Sequence, residues 1–533
     1  MANVNATFGH MLTNKLSQLR HGFKWLTVCW DVLNFNVVCS RIAIEFLDSL
    51  AEQPFPVGAM WPHFFICAVL VLDAAVVTQS QNQYKCHGNT ALPRRLVREI
   101  RSYKPIVEKI IDMVVYGAEQ NVTYDELAIF VDRFGARPSG SKTLEDSIDY
   151  MVDILRGHRL DCVHTEEARI EIWRRGREGA WILKPRKKKM NILGLGNSVG
   201  TPAGGITAPV LVVKSFEELK RNARKAKGKI VVFNQAFVSY DKTVKYREHG
   251  ATEAAKAGAV AALVRSVTPF SINSPHTGVM EYGKNTPRIP TASITLEDAE
   301  LLARWQDRGI KPVIKLVMGA KRLPPGVSRN TIAEIRGRTK PKEVVAVSGH
   351  IDSWDVGQGA MDDGAGAFIA WRALAVLRRL GLRPRRTLRS ILFTGEEQGI
   401  TGAMDYFERH FPHERNLLNV VMESDSGTFR PLGLAFSGSN KRARCIVAEV
   451  LSLFASINAT LLTLGVLEPD LEPWIKQGVP ALALNTADER YFYFHHTEAD
   501  TMSVLDRHEL DLCTALWAAA SYIFADLSIR LPR

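Results

Sequence analysis

The 533-residue sequence predicts an α/β protein, a mostly parallel mixed sheet flanked by helices, with a smaller βα module inserted into it. Three observations predict it. Uninterrupted apolar runs at 344–347, 388–393, 418–422 and 481–484 have the length of strands buried on both faces. Helical stretches separate them, most clearly 365–380, and that alternation is what parallel βαβ units require. Between about 195 and 325 the texture differs. Short strand-like runs (210–213, 230–233, 260–264) alternate with a basic helix at 216–226 and an alanine-rich helix at 252–257, under dense glycine and proline punctuation.

Along the chain, four regions follow: 1–80, 81–194, 195–325 as the insertion, and 326–533. In the first, the apolar run at 64–77 is interrupted by Asp73 and is shorter than the ~20 residues a spanning helix needs. It has the length of a secretory signal's apolar region, and small residues follow at Thr78 and Ser80. Translation from Met60 would place that signal at a chain start and make residues 1–59 an upstream extension, with no stable membrane insertion once the signal is removed. The alternative is a signal anchor.

In the second region, Ile106, Val107, Ile110, Ile111, Val114 and Val115 form one apolar helical stripe, which Gly117 can end. Leu144, Ile148, Met151 and Leu155 form another after a Gly-Ser turn. Cys86, Cys162, Cys445 and Cys513 lie beyond residue 80, too sparse for a disulfide framework, and their pairing is left open. Sequons at Asn121 and Asn458 are glycosylation candidates if the chain enters the secretory pathway.

The net charge of +12 invites a nucleic-acid reading. Residues 174–229 alone carry fifteen basic and three acidic side chains, so the excess is regional and the rest of the chain is close to neutral. No zinc finger or aromatic-interleaved basic motif accompanies it. No nucleic-acid partner is expected.

The chemistry gathers at strand ends. The first run leads into His350 and Asp352, and a glycine-rich turn twelve residues after His350 holds Asp362 and Asp363. The second run is followed by Glu396 and Glu397, the third by Asp425, and the last by His495, His496 and Asp500. Parallel sheets present such groups on one rim, and imidazoles with carboxylates suit zinc. Two metals ~3.5–4 Å apart need a bridging carboxylate and terminal ligands. His350, Asp362, Glu397, Asp425 and His496 supply that number if Asp362 bridges. Glu396, uncommitted to metal, is then placed to take a proton from the attacking water and pass it to a leaving amine. Asp352 is placed to orient His350. A lone histidine or acidic pair is usually a surface feature, and His495 is read as a packing or hydrogen-bonding neighbour. Trp354 and Trp474 fit either a pocket wall or the core. The ordered set, each member after an apolar run, makes the case.

The segments SGHIDSWDVGQGAMDDGAGAF, TGEEQG, MESDSGTF and FHHTEADTM resemble the co-catalytic dizinc exopeptidases, and the likeness covers about residues 90–533. The resemblance implies two zinc ions per chain, bound by His350, Asp362, Glu397, Asp425 and His496, with Asp362 bridging and Glu396 as general base. It implies a protease-associated-like insertion at 195–325 over the metal domain. It also implies hydrolysis of short peptides, particularly dipeptides with free termini, by a secreted or lysosomal homodimer. Alternatives are an aminopeptidase of the same fold, a single-zinc cyclising enzyme, or a receptor-like relative without catalysis. The complete ligand set weighs against the last. One departure stands out: where relatives carry a glycine-rich stretch ending in aspartate, this chain reads VLEPDL at 466–471, which retains an aspartate at Asp470 and puts Pro469 beside it.

Overall fold

The structure, a computed structural model, describes Cys86 and residues 90–533 apart from Leu467. The apolar run at 64–77 and the upstream extension lie outside the described residues. Among the described residues no helix is long and apolar enough to cross a membrane.

The described strands, in chain order, are β1 (Asp161–Arg174), β2 (Glu178–Lys184), β3 (Lys188–Met190), β4 (Ile192–Gly194), β5 (Ile206–Val213), β6 (Ile230–Phe233), β7 (Ala261–Arg265), β8 (Thr291–Ile294) and β9 (Val313–Met318). They continue as β10 (Lys321–Ile335), β11 (Lys340–His350), β12 (Arg386–Phe393), β13 (Leu418–Glu423), β14 (Pro431–Ser437), β15 (Leu461–Leu464) and β16 (Ala481–Thr486). Four helices matter most below: α1 (Lys142–Gly157), α2 (Lys245–Lys256), α3 (Ala365–Arg379) and α4 (Arg507–Asp526).

The first sheet runs β1-β10-β12-β11-β13-β16-β14-β15. Its centre, β12-β11-β13-β16, is parallel, and antiparallel pairs flank it on both sides. All four expected runs are strands of this centre. Side chains of β11 alternate between two cores: Val345 and Val347 pack with Phe368, Trp371, Leu516 and Trp517 of α3 and α4. Val344 and Ala346 pack on the other face with Ile391, Phe393, Tyr406 and Trp474, so Trp474 is a core residue. Burial on both faces explains why these strands read as unbroken apolar runs. In register, His350 stands beside Phe393 and Ser348 beside Glu423, which brings the ends of β11, β12 and β13 to one rim.

The second sheet runs β3-β2-β9-β5-β6-β7-β8-β4, with β5 to β8 parallel. α2 packs Ala251, Ala254 and Ala255 against Phe233 and Val264. The sheet starts earlier than the expected boundary at 195, because β2, β3 and β4 already belong to it, and the chain returns to the first sheet at Lys321 in β10. The basic KPRKKK turn between β2 and β3 hides the strand signal of that edge hairpin, where charge is tolerated because one side is open. The basic helix is also broken. It forms Phe216–Arg221 and Ala223–Ala226, with Asn222 Nδ2 donating to the Glu218 carbonyl.

Local signals explain the remaining termini. Ser141 caps α1 by accepting from the Leu144 amide at 3.1 Å. The stripe starting at Ile106 forms a helix at Lys104–Ile111 followed by a wider π turn at Asp112–Tyr116. Cys86 is disulfide-bonded to Cys445, while Cys162 and Cys513 are free. Glu119, buried, accepts from the buried Arg372 and the exposed Arg379 of α3.

Candidate metal centre

The turn after β11 brings Asp362 between two imidazoles. One carboxylate oxygen lies 3.3 Å from His350 Nε2, and the other lies 3.2 Å from His496 Nε2. Asp425, after β13, approaches His350 Nε2 at 3.3 Å, and Glu397, after β12, approaches His496 Nε2 at 3.1 Å. Two donor groups converge here and share Asp362: His350 with Asp362 and Asp425, and His495 with His496 and Asp362. His350 Nε2, one Asp362 oxygen and one Asp425 oxygen are buried without hydrogen-bond partners. Buried polar atoms are normally satisfied, and these orphans lie on both sides of Asp362, toward His350 and toward His496, an arrangement that fits a pair of cations.

The tautomers are held from behind. His350 Nδ1 donates to the Asp352 carbonyl at 3.1 Å, and His496 Nδ1 donates to the Thr277 carbonyl at 3.3 Å, leaving both Nε2 atoms free to ligate. Asp352 therefore orients His350 through its backbone. Its carboxylate instead accepts from the Glu396 and Glu397 amides at 3.1 and 3.3 Å. Glu396 and Glu397 both stand outside these donor groups; Glu396 Oε2 lies 3.9 Å from His350 Nε2.

Without cations the electrostatics are severe. Burial pushes the Glu396 carboxyl well above its ordinary range, with Asp425 adding to the rise and His350 opposing it. Burial and Asp362 raise Glu397 to about 7, against His496. Burial opposes the charging of His496, but Glu397 and Asp362 raise that imidazole to about 10.

Several side chains that hold the site had no role assigned from the sequence. Asp363 accepts from the amides of His350 and Gly366 at 3.0 and 3.1 Å, which ties the β11 end to the start of α3. Asp500 accepts from the amides of Ala360, Met361 and Asp362 and so holds the Asp362 turn. Both lie in segments with a legible signal. Arg137 does not: fully buried, it donates to the carbonyls of Gly135, Ile351, Gln358 and Gly359. His495 does more than pack. It stacks on His496 at 3.5 Å between centroids and approaches Asp362 at 3.6 Å. Trp354 belongs to the site, donating its amide to Glu397 at 3.1 Å with its ring against His496.

The insertion grips the same ligand loop. The Thr277 amide donates to the His496 carbonyl at 3.0 Å, His276 Nδ1 donates to the His495 carbonyl at 2.7 Å, and Thr268 donates to the Phe492 carbonyl at 2.5 Å. Arg175, at the entry to β2, pairs with Asp355 in the loop after β11 at 2.5 Å. Asn458 is exposed, and Asn121 is half-buried.

Fold and donor set together define a metallo-exopeptidase. The sequence model of Peptidase family M28 matches residues 330–521, and that of the PA domain matches residues 201–302. Carboxypeptidase Q of Homo sapiens is 52% identical over 435 residues, 82% of this chain and 92% of that protein. Carboxypeptidase Q of Xenopus laevis is 53% identical over 437 residues, again 82% and 92%. The crystal structure of a Peptidase M28 precursor from Shewanella amazonensis SB2B superposes with a TM-score of 0.77 at 28% identity, covering 81% of this chain and 99% of that one. The chain belongs to the carboxypeptidase Q family and carries a Peptidase family M28 domain over residues 330–521.

Proposed function

We propose that the protein is a zinc-dependent exopeptidase that hydrolyses short peptides, above all dipeptides with free termini. The observation that carries this reading is Asp362, shared by two donor groups, with Glu397 3.1 Å from His496 Nε2 and Glu396 farther off, 3.9 Å from His350 Nε2. His350 and Asp425 would hold one zinc ion and His496 with Glu397 the other, with Asp362 available to both. When bound, the pair supplies Lewis-acid polarisation of the scissile carbonyl and acidifies the attacking water. Glu396 takes the proton from that water and hands it to the departing amine. Asp352, bonded to the Glu396 and Glu397 amides, keeps the base and the ligand in separate directions. The buried Trp354 ring beside His496 limits water around the donors.

A dipeptide library assayed with and without added zinc tests the reading. Zinc-dependent cleavage of unblocked dipeptides is expected. Glu396→Gln should abolish turnover while two zinc ions per chain remain by elemental analysis; substantial residual turnover refutes the assignment of the base. The exposed Asn458 and the Cys86–Cys445 disulfide support passage through the secretory pathway to a secreted or lysosomal destination. A mobility shift on glycosidase treatment, lost in Asn458→Gln, checks that.

A further inference from the structure

The fold gathers much of the basic stretch at 174–229 on one side of the second sheet. Lys189, Trp181, Lys315 and Thr207 pair directly across β3, β2, β9 and β5 and so form one row on one face. That face is turned away from Ala180, Ile182, Ile314 and Leu316, which pack with the helix Leu296–Asp307. Beyond a bulge at Leu183, Lys184 pairs with Val313 and continues the face. Trp181 and Leu183 are each 37% exposed. The Trp181 ring lies down along its own strand, so close that a Cβ at Gly179 would sit 2.6 Å from it. On the same side, the broken basic helix packs Leu219 and Ala226 with Leu211 and Val213, and its exposed Arg221, Arg224 and Lys225 border the row. Among the described residues, Lys184, Lys189, Lys315, Arg221, Arg224 and Lys225 make no ion pair, whereas Lys188, on the opposite face, pairs with Asp298 at 2.6 Å. The outward positions of β2, β9 and β5 in this region hold no acidic residue.

A lysine on the edge strand β3 guards against pairing with another chain. That does not explain Lys315, two strands in from the edge, or an indole kept in water between two ammonium groups. An exposed ring flanked by unpaired cations fits a linear polyanion built from rings. Sugar rings lie on the indole, and sulfate groups on either side meet the lysines and the bordering arginines. Basic clusters of this density are the footprint of polyanion binding. Thr268, His276 and Thr277 follow the far end of β7, whereas Arg224 and Lys225 lead into the start of β6. The face and the grip on the metal loop therefore lie toward opposite ends of the parallel strands.

We propose that this face binds a sulfated polysaccharide, with Lys189, Lys315 and Arg224 on its sulfates and Trp181 under a sugar ring. The choice of polyanion rests on the secretory reading above, since that route meets sulfated glycans and not nucleic acids.

Titration calorimetry of the full chain with a heparin octasaccharide tests this, with uncharged maltooctaose as the blank. Only the heparin compound should bind, and binding should vanish as salt rises from ~0.1 to ~1 M, where the screening length falls from ~10 to ~3 Å. Exposed ion pairs contribute up to about fivefold each, so Lys189→Gln with Lys315→Gln should weaken binding roughly tenfold. Trp181→Ala should weaken it roughly fivefold, and Trp181→Phe less. Lys104→Gln with Lys142→Gln removes the same charge from exposed positions on other helices and should stay within about twofold. An unchanged Tm shows that each variant folds. No binding above the blank, equal loss in both lysine pairs, or an unaffected Trp181→Ala protein overturns the proposal. So does tighter binding to phosphatidylserine vesicles that the same substitutions weaken, which would make the face a membrane dock. Octasaccharide binding by a chain that carries no glycan on Asn458 refutes the secretory reading alone. A glycosylated chain that ignores heparin refutes the polysaccharide site alone.

Discussion

Gly366 is where the metal site depends most sharply on one missing methyl group. It lies in the first turn of α3, and a Cβ there would sit 1.7 Å from the Ser424 carbonyl oxygen and 2.2 Å from Asp363 Oδ1, where ordinary contact begins near 3.4 Å. Neither neighbour can yield cheaply. Ser424 is backbone between β13 and Asp425, and Asp363 already accepts from the His350 and Gly366 amides. Gly366→Ala must therefore push α3 away from the end of β13 by more than an ångström, carrying Asp362, which leads into α3, away from Asp425. Overpacking of this kind costs ~1–3 kcal/mol or more in stability. A misplacement of ~1 Å at reacting groups costs ~10²-fold in rate. The assay is zinc titration of the apoprotein, kcat/KM on a cleaved dipeptide, and thermal melting, with Gly157→Ala as control. A Cβ at Gly157 meets nothing within 4 Å, and that variant should match or slightly exceed wild-type stability. A Gly366→Ala protein with wild-type zinc affinity and turnover would refute the argument that this close approach sets the donor geometry.

Other outcomes follow from the same contacts. Glu119→Ala leaves the buried Arg372 guanidinium with Glu126, 3.3 Å away, as its remaining carboxylate and should cost ~1–3 kcal/mol in urea unfolding, whereas Arg379→Ala, on the exposed arm, should cost below ~1 kcal/mol. His276→Ala removes the hydrogen bond to the His495 carbonyl from the insertion and should weaken zinc binding ~10–100-fold by competition with a chromogenic chelator. Stripping the metal should lower Tm, and added zinc should restore it in a concentration-dependent way, because buried like charges then face one another unscreened. Burial raises Asp511 to about 6, against the Asn121 amide that donates to it, so its share of stability is full below the ordinary aspartate pKa near 3.9 and is lost as pH rises through about 6. Asp511→Asn should therefore melt like wild type near pH 4 and above it at pH 8; a difference independent of pH would contradict this.

The rim of the parallel sheet was legible because its strands are buried on both faces and end in charged residues, two patterns that rarely coincide by chance. His350, Asp362, Glu397, Asp425 and His496 stood out as candidates only as an ordered set, each after an apolar run. The edge hairpin of the second sheet was not legible, because an edge strand can carry lysines that mimic a solvated loop. Arg137 left no local trace either. Its partners are four carbonyls, three of them more than 200 residues away, and backbone acceptors have no residue type for a pattern to detect. Glu468 shows the same limit from the other side. An acidic residue beside a proline reads as an exposed turn, and only the packed fold buries it against Ser426 Oγ.

The Thr277 carbonyl that holds His496 has a consequence for motion. With His496 as a zinc ligand, as proposed above, zinc affinity becomes a gauge of how closely the insertion is seated. Any opening that lifts Thr277 from His496 frees the imidazole to turn and weakens the metal. By reciprocity, zinc must close the insertion onto the sheet by the same free energy. Zinc binding and insertion docking are therefore one coupled equilibrium, and a probe on either reports on both.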